Sequence, residues 1–130
     1  MKLDTKQKVL VAIYTEYQRD IPNMEQAITC ENLKMDKDKF IFALRKLKNE
    51  GLIQNIEFVW AENEIQDFEL GDMLISSCGI EYVEQKIGID KTLSGLDKVK
   101  HIIERSGEWG INQLKDFGSK VAAEIIRSNI

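Results

Sequence analysis

The stretch KFIFALRKLKNEGLI, Lys39 to Ile53, constrains the fold more tightly than any other part of the chain. At about 100° per residue, Phe40, Ala43, Leu44 and Leu47 fall on one face of a helix. Gly51 then offers the left-handed position that stops a helix. The residues beyond, Leu52 to Trp60, bring Ile53, Ile56, Phe58, Val59 and Trp60, a run rich in β-formers. The apolar face therefore needs a helical partner, and the chain must leave the helix as a strand. The opposite face collects Lys39, Phe42, Arg45, Lys46 and Asn49. Three of these five are cationic; Asn49 is polar and Phe42 is the apolar exception.

The expected partner is a helix over Thr5 to Arg19, capped by Asp4 or Thr5, with Val9, Leu10, Ile13, Tyr14 and Tyr17 at helical spacing. Pro22, the only proline, ends that region. Asn23 to Thr29 reads as a helical turn or as a first short strand. TCENLKM follows as a short helix with Thr29 at the N-cap and Asn32 at N3, one residue type away from a capping box. Asp36 is expected to cap the helix that contains Lys39. After Leu52–Trp60, AENEIQD reads as a polar loop and Phe68 to Ile75 as the second strand of a hairpin. SSCGIEYVEQKIG reads as a helix capped by Ser76 or Ser77 and stopped by Gly88. Two further amphipathic helices are expected over Asp90–Gly107 and Ile111–Ser128. A boundary near Gly88–Thr92 divides residues 1–88 from a C-terminal two-helix extension, residues 89–130.

The net charge of −4 does not suggest a non-specific nucleic-acid binder. Its distribution says more. Residues 1–48 carry ten bases and seven acids, residues 49–85 nine acids and no base, and residues 86–130 eight bases and six acids. Apolar residues make up 43% and charged residues 31%, the balance of a folded globular chain. No apolar run approaches the ~20 residues of a membrane span, and the N-terminus has no cleavage-site pattern. Cys30 and Cys78 stand far apart without metal-type spacing, which points to a reduced, cytoplasmic protein.

Catalysis has little footing. His101, the only histidine, sits beside Ile102 and Ile103 on an amphipathic segment and reads as a surface or boundary residue. No HExxH, GxSxG or phosphate-binding loop occurs. Glu62, Glu64 and Asp67 lack the alternating ligands and central glycine of a calcium loop. The expectation is a protein that acts by binding, with no enzyme activity, metal, cofactor or small-molecule site.

Helix, short helix, longer helix, hairpin and helix is the winged helix-turn-helix order, an α+β architecture. The pattern of Phe40, Ala43, Leu44, Leu47 and Asn49 to Ile53, followed by LISSCGIEYVEQ (Leu74 to Gln85), further resembles the YjcQ family over about residues 4–87. Those are small winged-helix proteins of Firmicutes and their phages. In the family the second segment looks like "lT.kGieYlee". Here Ser76 or Ser77 stands at the threonine, and Gly79, Ile80, Glu81 and Tyr82 follow. The resemblance implies a DNA-binding regulator of phage or phage-like origin. Two features depart from it: Ile41 and Phe42 stand where the family tends to be polar, and residues 91–130 fall outside the resemblance.

On this reading Arg45 reaches a guanine edge, Asn49 an adenine edge, and Lys39 and Lys46 meet phosphates of double-stranded DNA. Lys34, Lys37 and Lys48 lie nearby. The hairpin argues the other way. Glu57, Glu62, Glu64, Asp67, Glu69 and Asp72 would oppose docking if they came within ~8 Å of phosphates. The alternative is a protein-binding adaptor or antagonist of a host nucleic-acid enzyme, using Phe42, Glu62, Glu64 and Trp109. The leading expectation for Phe42 is coverage, by the chain's own C-terminal helices or by a partner. Those helices are expected to pack on the first domain, with homodimerisation as the alternative and Trp109 as a hinge or interface aromatic.

Overall fold

The structure is a computed structural model that describes residues 2–62, 64–109 and 112–128, with the backbone alone for residues 64–67. Helices α1 (Thr5–Tyr17), α2 (Met24–Ala27), α3 (Cys30–Leu33) and α4 (Lys37–Asn49) come first. Strands β1 (Ile53–Gln54), β2 (Glu57–Ala61), β3 (Glu64–Glu69) and β4 (Leu74–Ile75) follow. Helices α5 (Ser77–Ile87), α6 (Gly95–Arg105) and α7 (Asn112–Ser128) complete the order. The class is α+β, and the order of elements is compatible with a winged helix.

Local chemistry accounts for most boundaries. Asp4 and Gln7 form a reciprocal capping box at α1, with hydrogen bonds of 2.8 and 2.9 Å. Asn23, Thr29, Asp36, Ser76 and Ser94 each accept a backbone N–H in the first turn of the helix they precede. Such a cap contributes about 1 kcal/mol. The ambiguous segment after Pro22 is a helical turn, α2. At α3 the Thr29 cap forms, but Asn32 turns its amide elsewhere, donating to the Gln26 and Ala27 carbonyls at 3.2 and 3.0 Å. That bond ties α3 to α2 in place of a capping box. Gly51 (φ 74) and Gly88 (φ 70) occupy the left-handed stops expected of them.

Helix α1 is the axis of the core. Val9 to Glu16 are all buried, a run of two turns that no single amphipathic stripe accounts for. A helix buried on every side needs neighbours on every side. α4, α5 with β4, and the α6–α7 pair supply them. The one carboxylate in that run, Glu16, accepts from the Asn23 N–H at 2.8 Å and from Arg19 at 3.0 Å. A buried charge requires such partners.

The expected single hairpin is split into two tiers. β1 pairs with β4 (Ile53↔Ile75, Gln54↔Leu74), and β2 pairs with β3 from Glu57↔Glu69 to Ala61↔Glu64. Asn55 enters the left-handed region (φ 62) between the tiers, and Ile56, Leu70 and Met73 are buried there. The segment expected as a polar loop is largely β3, with Glu62 (φ 53) at the tip. Its composition hides this because cross-strand pairing, not intrinsic propensity, holds a strand in place. Val59↔Asp67 is followed by Trp60↔Ile65, so β3 carries one extra residue, a β-bulge.

α6 and α7 pair with each other, and α7 packs on α1 and α3. The buried side chains on both sides of residue 88 belong to one cluster, which includes Val99, Ile102, Trp109, Leu114 and Phe117. A polar tie reinforces the junction. The Tyr14 hydroxyl donates to Glu84 at 2.9 Å, and Lys98 pairs with the same carboxylate oxygen at 3.1 Å, linking α1, α5 and α6.

Burial first, and the hydrogen bond to Glu84 second, push the Tyr14 phenol well above its ordinary range. An unfolded chain releases that proton near pH 10, at about the ordinary tyrosine value, whereas the folded chain keeps it. The stability held by the neutral phenol is therefore present below about pH 10 and falls as pH climbs beyond it. Tyr14→Phe is expected to give a shallower alkaline loss of stability in urea titrations. Equal slopes for both proteins would contradict that assignment.

Candidate nucleic-acid interface

α4 follows a tight turn in which Lys34 adopts a left-handed conformation (φ 52) and the Asp36 carboxylate accepts the Lys39 N–H at 3.1 Å. The cap sets the phase of the helix. Phe40, Ala43, Leu44 and Leu47 go into the core, and Lys39, Lys46 and Asn49 are exposed. Among the described residues, no ion pair engages Lys39, Arg45 or Lys46. The C-terminal helices pack elsewhere, so this outer face is open.

Phe42 is 54% exposed. The expectation that the chain's own C-terminal helices cover it is not met, because those helices are drawn to α1 and α3. What Phe42 touches is Arg45, whose Cζ lies 5.2 Å from the ring centroid. A second ring meets the same guanidinium from the hairpin: Trp60, at 5.1 Å. Just below, Lys48 lies 5.5 Å from the centroid of Phe58 and donates to the Ile56 carbonyl at 3.2 Å. Both distances for Arg45 fall within the range of cation–π attraction. Ile41, on the flank of α4 that it shares with Arg45 and Lys48, is buried, with 6% of its surface exposed. That burial accounts for an apolar residue where the family tends to be polar.

Phe58 and Trp60 are two residues apart and both meet α4, so they share one face of β2. Glu57 and Val59 then point to the other face. Glu57 stands opposite Glu69, and these two line a shallow depression with Asp72. The hairpin thus separates charge. An aromatic side faces the cationic helix, and acidic side chains occupy the reverse. Glu62 is exposed at the tip, whereas the side chains of Glu64 and Asp67 lie outside the described residues.

A family model described as "YjcQ protein" matches residues 7–102. The chain belongs to the YjcQ family. The match runs from the first turn of α1 into α6 and contains all of α4 and the hairpin. It passes the boundary expected at residue 88 and stops short of Trp109 and α7. A search of the curated proteins found no match, and a search of the solved structures found none.

The structure brings Lys39, Phe42, Arg45, Lys46 and Asn49 onto one surface, as helical spacing requires. It does not bring Trp109 there. That ring is 2% exposed, inside the chain's own core, so it presents no docking surface. Trp60 is the residue that sequence reasoning passed over, counted only as a β-former. The signal was available in the alternation Phe58, Trp60, which puts both rings on one side of a strand. His101 is half-buried on α6, with its Nε2 shielded and without a hydrogen-bond partner. Cys30 and Cys78 are free thiols. Among the described residues there is no His, Cys, Asp and Glu cluster fit for a metal, and no helix long and apolar enough to cross a membrane.

Proposed function

We propose that the chain is a cytoplasmic DNA-binding regulator of phage-like type. Its winged helix-turn-helix would lay the outer face of α4 into the major groove of duplex DNA. The observation that carries this reading is an open helical face on which Lys39, Arg45 and Lys46 have no ion-pair partner among the described residues. Lys39 and Lys46 meet phosphates, and Arg45 and Asn49 meet base edges. Glu57, Glu69 and Asp72 line a depression on the side of the hairpin away from α4, which weakens the electrostatic objection for those three acids. Membership of the family supports the architecture, while the function rests on this surface. The protein acts by binding, without catalysis or a cofactor.

Affinity for random-sequence duplex DNA is expected to fall roughly 10- to 40-fold between about 50 and 200 mM salt, the slope of two or three phosphate contacts. Arg45→Ala with Lys46→Ala is expected to weaken binding by about 10-fold or more with the circular dichroism spectrum unchanged. An absence of any binding at the lower salt would overturn the reading.

One observation favours a second reading, a protein-binding module. Phe42, Val59 and Trp60 expose 54%, 47% and 54% of their surface, and exposed aromatics of this size anchor protein interfaces. Loss of a captured partner, or of a dimer in sedimentation, on Phe42→Ala and on charge reversal at Glu62 and Glu64 would support it.

A further inference from the structure

We propose that Phe42 and Trp60 are positioning residues that hold Arg45 as a guanine reader, so that recognition by this chain centres on a G·C pair. The inference rests on the DNA-binding reading and goes further, because it names the device that holds the guanidinium and makes the G·C preference depend on it. Arg45 is half-buried, and its guanidinium carbon lies 5.2 Å from the Phe42 centroid and 5.1 Å from that of Trp60. One ring comes from its own helix, a turn earlier, and the other from the hairpin. Two cation–π contacts from separate elements restrain a side chain that would otherwise sample many rotamers.

The restraint leaves the donors unspent. Among the described residues, Arg45 makes no ion pair, and its guanidinium lies against the two rings. A guanidinium carries five N–H donors in a fixed planar fork. Held in place with that fork free, it suits a planar, two-point acceptor. The O6 and N7 of guanine present that pattern in the major groove, and no other base does. A lysine at this position would keep the charge and lose both the fork and the ring contacts. Lys39 and Lys46 lack such bracing and are exposed, as sequence-neutral phosphate contacts require.

The test is selection from a pool of random duplex DNA, followed by titration of the selected duplex with the full chain. The wild-type chain is expected to enrich a site with at least one invariant guanine. Replacing that guanine by 7-deazaguanine, which lacks the N7 acceptor, should weaken binding about 10-fold. Arg45→Lys, Trp60→Leu and Phe42→Leu should each shrink the preference for G·C over A·T at that position by about 10-fold, with an unchanged thermal midpoint. Lys46→Ala should instead weaken all sequences alike and lower the salt slope. An enriched site whose guanine preference survives Trp60→Leu and Phe42→Leu would overturn this proposal and leave the DNA-binding reading standing. Failure of the wild-type chain to bind any duplex would overturn both.

Discussion

Trp109→Ala is expected to lower the unfolding free energy by about 3–5 kcal/mol, the loss typical of deleting a large buried aromatic. Trp109 heads the fully buried side chains by volume and belongs to the same cluster as Val99, Ile102 and Leu114. It sits just after α6, in a turn held by the Trp109 N–H donating to the Ser106 carbonyl at 3.2 Å. The Ser106 hydroxyl donates in turn to Ile103 at 2.8 Å. Its ring therefore belongs to the buried cluster that continues from α1 into α6 and α7, and its removal leaves a cavity there. Urea unfolding measures the loss. A dimer-interface role gives a different signature: a changed sedimentation coefficient with monomer stability intact. That outcome would refute the burial argument.

Gly79→Ala should destabilise the chain by about 3 kcal/mol, against the direction that helix propensity predicts. Gly79 lies inside the first turns of α5, where alanine normally gains about 0.5–1 kcal/mol over glycine. Here an added Cβ would run into the Leu52 carbonyl oxygen and come within 2.7 Å of Ile75 Cγ1. The Leu52 carbonyl already accepts the Ser76 N–H at 3.0 Å, and the Ser76 hydroxyl donates to the Gly51 carbonyl at 2.6 Å. Neither backbone can retreat without breaking the clasp between the end of α4 and the start of α5. Denaturant midpoints of the wild-type and variant chains decide the sign. A more stable variant would mean that α5 stands further from Leu52 than described.

The Gly79 clasp also accounts for part of the family resemblance. Gly51 and LISSCGIEYVEQ looked like two separate motifs in the sequence. In the fold they are one contact, with Ser76 capping α5 through Gly79 N–H at 3.0 Å while it holds the chain that leaves α4. Tyr82, from the same segment, receives a hydrogen bond from Gln7 on α1 at 3.1 Å. These residues fix architecture. Lys39, Arg45, Lys46 and Asn49, which the proposed function depends on, are held only by the phase of α4 and by the hairpin beside it.

Most helices and stops, and several caps, were legible in the sequence because each depends on atoms within about four residues: Asp36 on Lys39 N–H, Gly51 after Asn49, Gly88 after Ile87; the Ser94 cap, which starts α6 at Gly95 rather than at Asp90, was not. The outward phase of Lys39, Phe42, Lys46 and Asn49 followed from the same local period. Only the tertiary structure decided that the hairpin forms two tiers, that Glu57 and Glu69 lie on its face away from α4, that Trp60 meets Arg45, and that Trp109 goes inside. Each of those outcomes depends on which surfaces meet across long stretches of chain. The competition is settled by burial and pairing among partners that no local window contains.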